Sequence, residues 1–129
     1  MKALASVLIL AGVVVSSHAH ATCVYPKAPD KLPDGATATK EEMIAAQKMV
    51  KAYNDDIKAY TDCLKLEHDE TMKADSGKSD KEKMSKEQRE ELEKVTVQKN
   101  NAAVDEAENV TARFNEQIRA FNAKSKPKS

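Results

Sequence analysis

Between Met43 and Leu64 the apolar side chains fall at Met43, Ala46, Val50, Tyr53, Ile57, Tyr60 and Leu64. The gaps alternate between three and four residues without a break. That spacing gathers them on one stripe of an amphipathic helix, the kind of seam that packs against a second helix as in a coiled coil. Thr39-Lys40-Glu41-Glu42 fits a capping box, in which a Thr hydroxyl and a Glu carboxylate satisfy free amides at a helix start. The first helix is therefore expected to run from Lys40 to about Ala74. Asp75-Ser76-Gly77 should stop it, with Gly77 in the left-handed conformation after the helix end. At 1.5 Å per residue such a helix is roughly 50 Å long.

One of the chain's two cysteines, Cys63, sits beside the last member of the stripe. The other, Cys23, opens a segment from Thr22 to Ala38 that contains Pro26, Pro29 and Pro33. Three prolines forbid a helix there and favour an extended, polyproline-like path. Pro33-Asp34-Gly35 is a turn signal. Lys40 to Cys63 spans about 35 Å of helix. The sixteen residue steps from Thr39 back to Cys23 cover about 50 Å at polyproline rise. An arm that turns at Pro33-Asp34-Gly35 can thus run back along the helix and reach Cys63 with slack. An intramolecular Cys23–Cys63 bond is the expectation; a disulfide-linked dimer and a working thiol pair are the alternatives. The spacing is not Cys-x-x-Cys, which argues against thiol–disulfide exchange. Closing a loop of about 40 residues would stabilise the fold by roughly 4 kcal/mol in the chain-entropy model.

A second helix has two candidate starts, Ser79-Asp80-Lys81-Glu82 and Ser85-Lys86-Glu87-Gln88, and its span is about 80–123. Its strongest stripe is Ala103, Ala107, Val110, Phe114, Ile118 and Phe121. The short connection makes the two helices antiparallel neighbours. The fold class that follows is all-α: a long antiparallel hairpin over 39–123, with an extended arm over 22–38 tied to the first helix. Residues 124–129 read as a frayed tail. The core should be uneven. From Lys65 to Lys94 there are eighteen Asp, Glu, Lys and Arg residues, so the tip should pack weakly. At the base, Phe121 should overhang the first helix and cover the arm near Leu32. Two helices and an arm bury little, so either the disulfide completes the fold or a second hairpin makes a four-helix bundle.

The first 21 residues read differently from the rest. Lys2 precedes an apolar run from Ala3 to Val15, and Ala19-His20-Ala21 is a small-x-small cleavage pattern. Together they predict a secretory signal peptide with a mature start at Thr22, an uncleaved anchor being the alternative. Export would place the cysteines in an oxidising compartment. Loss of Lys2 leaves 20 basic against 21 acidic residues, so net charge attracts neither nucleic acid nor an anionic membrane. With three tyrosines, two phenylalanines and no tryptophan, the chain suits long solvated helices better than a compact globule.

The search for chemistry returns little. Beyond the signal segment the one histidine is His68, within Glu67-His68-Asp69-Glu70. Glu67, His68 and Glu70 are weak metal candidates, because neighbouring helical residues point in different directions and zinc or calcium needs more ligands at defined spacing. No Gly-x-Ser-x-Gly turn and no glycine-rich phosphate loop is present, and no pattern implicates a cofactor. Arg113, Arg119, Lys124, Lys126 and Lys128 stand against Glu116, and cations near a helix C-terminus are favoured by its dipole. Tyr53 and Tyr60 share one helical face. They serve as core or arm contacts, or as exposed anchors for a partner. Asn100, Asn101, Asn109, Asn115 and Asn122 punctuate the second helix and could hydrogen-bond across the seam to set register.

Two blocks of residues carry a resemblance. One is Cys23-x-x-Pro26-x-x-Pro29, Pro33-Asp34-Gly35, Glu41-Glu42-Met43, Tyr53, Tyr60 and Cys63-Leu64. The other runs from Asn100-Asn101-Ala102-Ala103-Val104-Asp105-Glu106 to Phe114-Asn115. Together they resemble small, exported, uncharacterised proteins of Gram-negative bacteria, which implies a periplasmic or secreted location and brings no catalytic or ligand residue with it. The residues themselves lead to the expectation of a non-enzymatic helical interaction protein that binds a protein partner or itself. A metal- or small-ligand-binding module, a holdase-type chaperone and an envelope-associated structural protein are the alternatives.

Overall fold

The computed structural model describes residues 22–125 and contains two helices, α1 (Lys40–Ser76) and α2 (Lys86–Lys124). The expected signal segment and the last four residues of the tail lie outside the described residues. The helices of 37 and 39 residues pack as an antiparallel pair. Residues near the start of α1 face the end of α2, and Leu64 and His68 face Leu92 and Thr96. All seven stripe positions from Met43 to Leu64 are buried, and Ala103, Val110 and Phe114 meet them from α2.

The capping box at Thr39 forms as its sequence predicts. The Glu42 amide donates to the Thr39 hydroxyl at 3.2 Å, and the Thr39 amide donates to the Glu42 carboxylate at 2.6 Å. That hydrogen bonding holds the Glu42 carboxyl below its ordinary pKa. On the exposed surface of α1, Lys51–Asp55 and Lys58–Asp62 pair across one helical turn, at 2.7 and 2.6 Å. Exposed pairs of this kind add a few tenths of a kcal/mol each.

The arm runs back along α1. Cys23 is bonded to Cys63, with Cα atoms 5.8 Å apart. Tyr25 meets Tyr60 edge to face, ring centroids 5.1 Å apart. Lys27 and Pro29 lie over Met49, Ala52 and Tyr53. Ala28 and Leu32 complete the contact with the core. The turn that follows is built by Asp34. Its carbonyl accepts from the Thr37 and Ala38 amides at 3.1 and 2.7 Å, and its carboxylate accepts from the Ala36 amide at 2.9 Å. This turn seats Gly35 on α2, and Leu32 and Phe121 each pack on the core. Lys124 belongs to the last turn of α2 and not to a frayed tail; its ammonium donates to the Ala38 carbonyl and lies 4.8 Å from the centre of the Phe121 ring.

The tip departs from expectation in three ways. α1 continues two residues further, to Ser76, and Gly77 is right-handed at φ −81°, ψ −7°. α2 begins at Lys86 and not near 80. One side chain explains the last of these. Asp75 is buried, and its carboxylate accepts from the Met84 amide at 2.7 Å and from Arg89 Nε at 3.1 Å. The candidate box at Ser79 does not close: its hydroxyl donates to the Glu82 carboxylate, and a single turn follows, with the Glu82 and Lys83 amides donating to the Ser79 carbonyl. The chain cannot propagate a helix through Met84, because that amide is committed to Asp75. Ser85 then caps α2, its hydroxyl accepting from the Gln88 amide. Between Leu64 and Ala103 no hydrophobic side chain is fully buried, so the far half of the hairpin rests on this polar anchor and on partial packing.

Candidate functional site

The seam between the helices has two sides, and the arm covers one of them. Tyr53 and Tyr60 lie on the covered side at 3% and 8% exposure. They are therefore contacts within the molecule, and the notion of an exposed tyrosine face for a partner is corrected. The arm closes over them where Tyr25 packs edge to face against Tyr60. Burial, with Tyr25 and Glu106 nearby, pushes the Tyr53 hydroxyl up to about 12. That hydroxyl is enclosed with no partner at hydrogen-bonding geometry.

The other side is open. Asn54, Lys58 and Thr61 lie across the stripe from the arm, as 100° per residue requires. Three hollows of about 280, 520 and 290 Å³ follow one another along it. The first lies between Met43, Ile44 and Gln47 of α1 and Phe114, Ile118 and Phe121 of α2. The second lies between Asn54, Ile57, Lys58 and Thr61 and Val104, Ala107, Glu108 and Thr111. The third lies between Leu64, Lys65 and His68 and Glu93, Thr96 and Val97. Thr61 lines both the second and the third, so the two are continuous.

This groove collects exposed apolar side chains. Ile44, Val97 and Val104 keep 42%, 49% and 40% of their surface in water, one in each hollow. Single exposed aliphatics carry no message, but three along one groove form a patch of the kind that marks an interaction site. Sequence reasoning passed over them. The signal was available: Val97, Val104 and Thr111 recur every seven residues beside the main stripe of α2. At the groove floor, Asn54 Nδ2 donates to the Thr111 hydroxyl at 3.1 Å, while Asn54 Oδ1 is enclosed without a partner. The cross-seam amide is thus on α1, and not among the asparagines of α2 that sequence reasoning proposed for that role.

The weak metal candidates do not assemble. His68 is half-buried between the helices, four residues beyond Leu64, where it continues the stripe. Its Nδ1 lies 3.5 Å from the adjacent Asp69 carboxylate. Glu67 lines the hollow on the arm side, while Asp69 lines the one on the open side. Among the described residues no three His, Cys, Asp or Glu side chains converge.

The walls of the open groove differ in charge. Lys40, Lys58 and Lys65 line it from α1, together with Asp69. Glu93 and Glu108 line it from α2, with no Lys or Arg among the α2 residues of the three hollows. Among the described residues no helix is long and apolar enough to cross a membrane. No family model, curated protein or solved structure matches this chain.

Proposed function

We propose that this protein is an exported, non-enzymatic interaction module that offers the open side of a disulfide-clamped helical hairpin to another protein chain. The observation that carries the reading is the groove with Ile44, Val97 and Val104 exposed along it. Its shape suits an amphipathic helix, which presents apolar anchors at one-turn and two-turn spacing. Export to the periplasm or beyond is supported by the Cys23–Cys63 bond, since disulfides persist in oxidising compartments. The Lys2, Ala3–Val15 and Ala19-His20-Ala21 pattern and the resemblance to small exported Gram-negative proteins support it as well.

Photo-crosslinking tests the reading. A benzoylphenylalanine placed at Val104 in the groove should yield a discrete covalent adduct to protein in the native compartment. The same probe at Leu66, 60% exposed on the outer face, should not. Equal labelling at both positions, or none at Val104, would remove the groove as a binding surface.

A further inference from the structure

We propose that the occupant of the open groove is a second copy of this chain, set by a two-fold axis parallel to the helices to form a four-helix bundle. The inference rests on the groove reading above and names its partner. Charge selects the arrangement. Lys58 and Glu108 line the same hollow from opposite walls, and the register set by the Asn54–Thr111 hydrogen bond across the seam puts this pair at one height along the hairpin. An axis parallel to the helices places α1 of one copy over α2 of the other at unchanged height. Lys58 then meets the second copy's Glu108, and the symmetry repeats the contact on the other rim. An axis across the helices would set α1 on α1 and bring lysine walls together. Asp69, the one groove-lining acid on the α1 side, sits near the tip at about the height of Glu93, so the charge match is confined to the middle of the groove. Lys58 is already paired with Asp62, but both side chains are well exposed, so the pairing exchanges at little cost.

Size agrees with charge. The wall from Lys40 to Asp69 is roughly 45 Å long, and two helices side by side are about 20 Å wide. The face is on the order of 900 Å² per copy, against about 800 Å² per partner in a stable interface. With 21 basic and 21 acidic residues in the chain, no net charge repels two copies.

Light scattering behind a sizing column, on the oxidised protein starting at Thr22, should give twice the chain mass. Val104→Arg should weaken the dimer at least about ten-fold at unchanged helicity. Glu108→Lys, an exposed change that leaves the fold intact, should weaken it too, and Lys58→Glu combined with Glu108→Lys should restore it. A monomer at the highest attainable concentration overturns the proposal, as does a dimer indifferent to both single changes. A dimer strengthened by Glu108→Lys overturns the axis. If the protein is monomeric while the Val104 probe captures a different protein, the groove reading stands and self-association falls.

Discussion

The Gly35 amide donates to Gln117 Oε1 at 2.9 Å, joining positions 82 residues apart in the chain. Gly35 is buried, and a β-carbon there would lie 2.8 Å from the Gln117 carbonyl carbon and 2.9 Å from the Phe121 nitrogen, with the Gln117 oxygen closer still. The glycine's φ is not positive, so its small size is what matters: it lets the turn of the arm touch the α2 backbone. Gly35→Ala should separate arm and α2 and cost about 1–3 kcal/mol, the usual penalty for overpacking. Urea unfolding of the oxidised protein measures it; an unchanged midpoint would mean the turn does not bear on α2.

Tyr53 carries a buried hydroxyl that lies beside the Tyr25 hydroxyl but outside hydrogen-bonding geometry. Removing it should be neutral or stabilising, because a buried polar atom without a partner is a cost that Tyr53→Phe relieves at constant shape. The same substitution should alter the alkaline limb of stability. Folding raises this acid from 10.0 to about 12, so its neutral form favours the fold below pH 10 and that contribution is lost as pH climbs toward 12. Thermal melts from pH 9 to 12 should fall less steeply for Tyr53→Phe than for the parent.

The Cys23–Cys63 bond closes a loop of 40 residues. Replacing both cysteines with alanine should cost about 4 kcal/mol in the chain-entropy model. The loss should appear first in the arm, as faster amide exchange from Val24 to Ala28 while the base of α1 stays protected. Equal stability of oxidised and reduced protein would mean the arm docks by packing alone.

At the tip, Asp75→Ala frees the Met84 amide and leaves Arg89 without its acceptor. The Met84 amide should exchange faster, and proteolysis near Lys78–Lys83 should accelerate. Acid should imitate the substitution. The hydrogen bond from Met84, followed by the Arg89 charge, holds the Asp75 carboxyl below 3.8. Its contribution is therefore present above the ordinary carboxylate range and is lost as pH falls through the lowered value. Protection of Met84 that survives Asp75→Ala would remove the anchor.

What could be read from residues was the periodic part of the molecule. The stripe from Met43 to Leu64, the Thr39 capping box and the arm that reaches Cys63 depend on neighbours in sequence or on chain length, and each has a local signature. Asp75 was legible only as a stop signal, because its partners at Met84 and Arg89 are set by how the chain re-enters the hairpin. The two Ser capping boxes were equivalent in sequence; the competition for the Met84 amide separated them. Tyr53 and Tyr60 were open to two meanings until the side taken by the arm was known. The groove was hidden for the same reason: Ile44, Val97 and Val104 flank the stripe, and only the arm's position decides which flank stays open.

Both cysteines precede the tip, so the covalent ring from Cys23 to Cys63 contains the arm and most of α1 but none of α2. A single peptide cut between Gly77 and Met84 would leave two fragments with no bond between them. One would be a closed ring bearing a helical extension, and the other a linear peptide held by noncovalent contacts alone. The protein's integrity after nicking is therefore an association equilibrium, and dilution would separate the pieces even where no reductant is present.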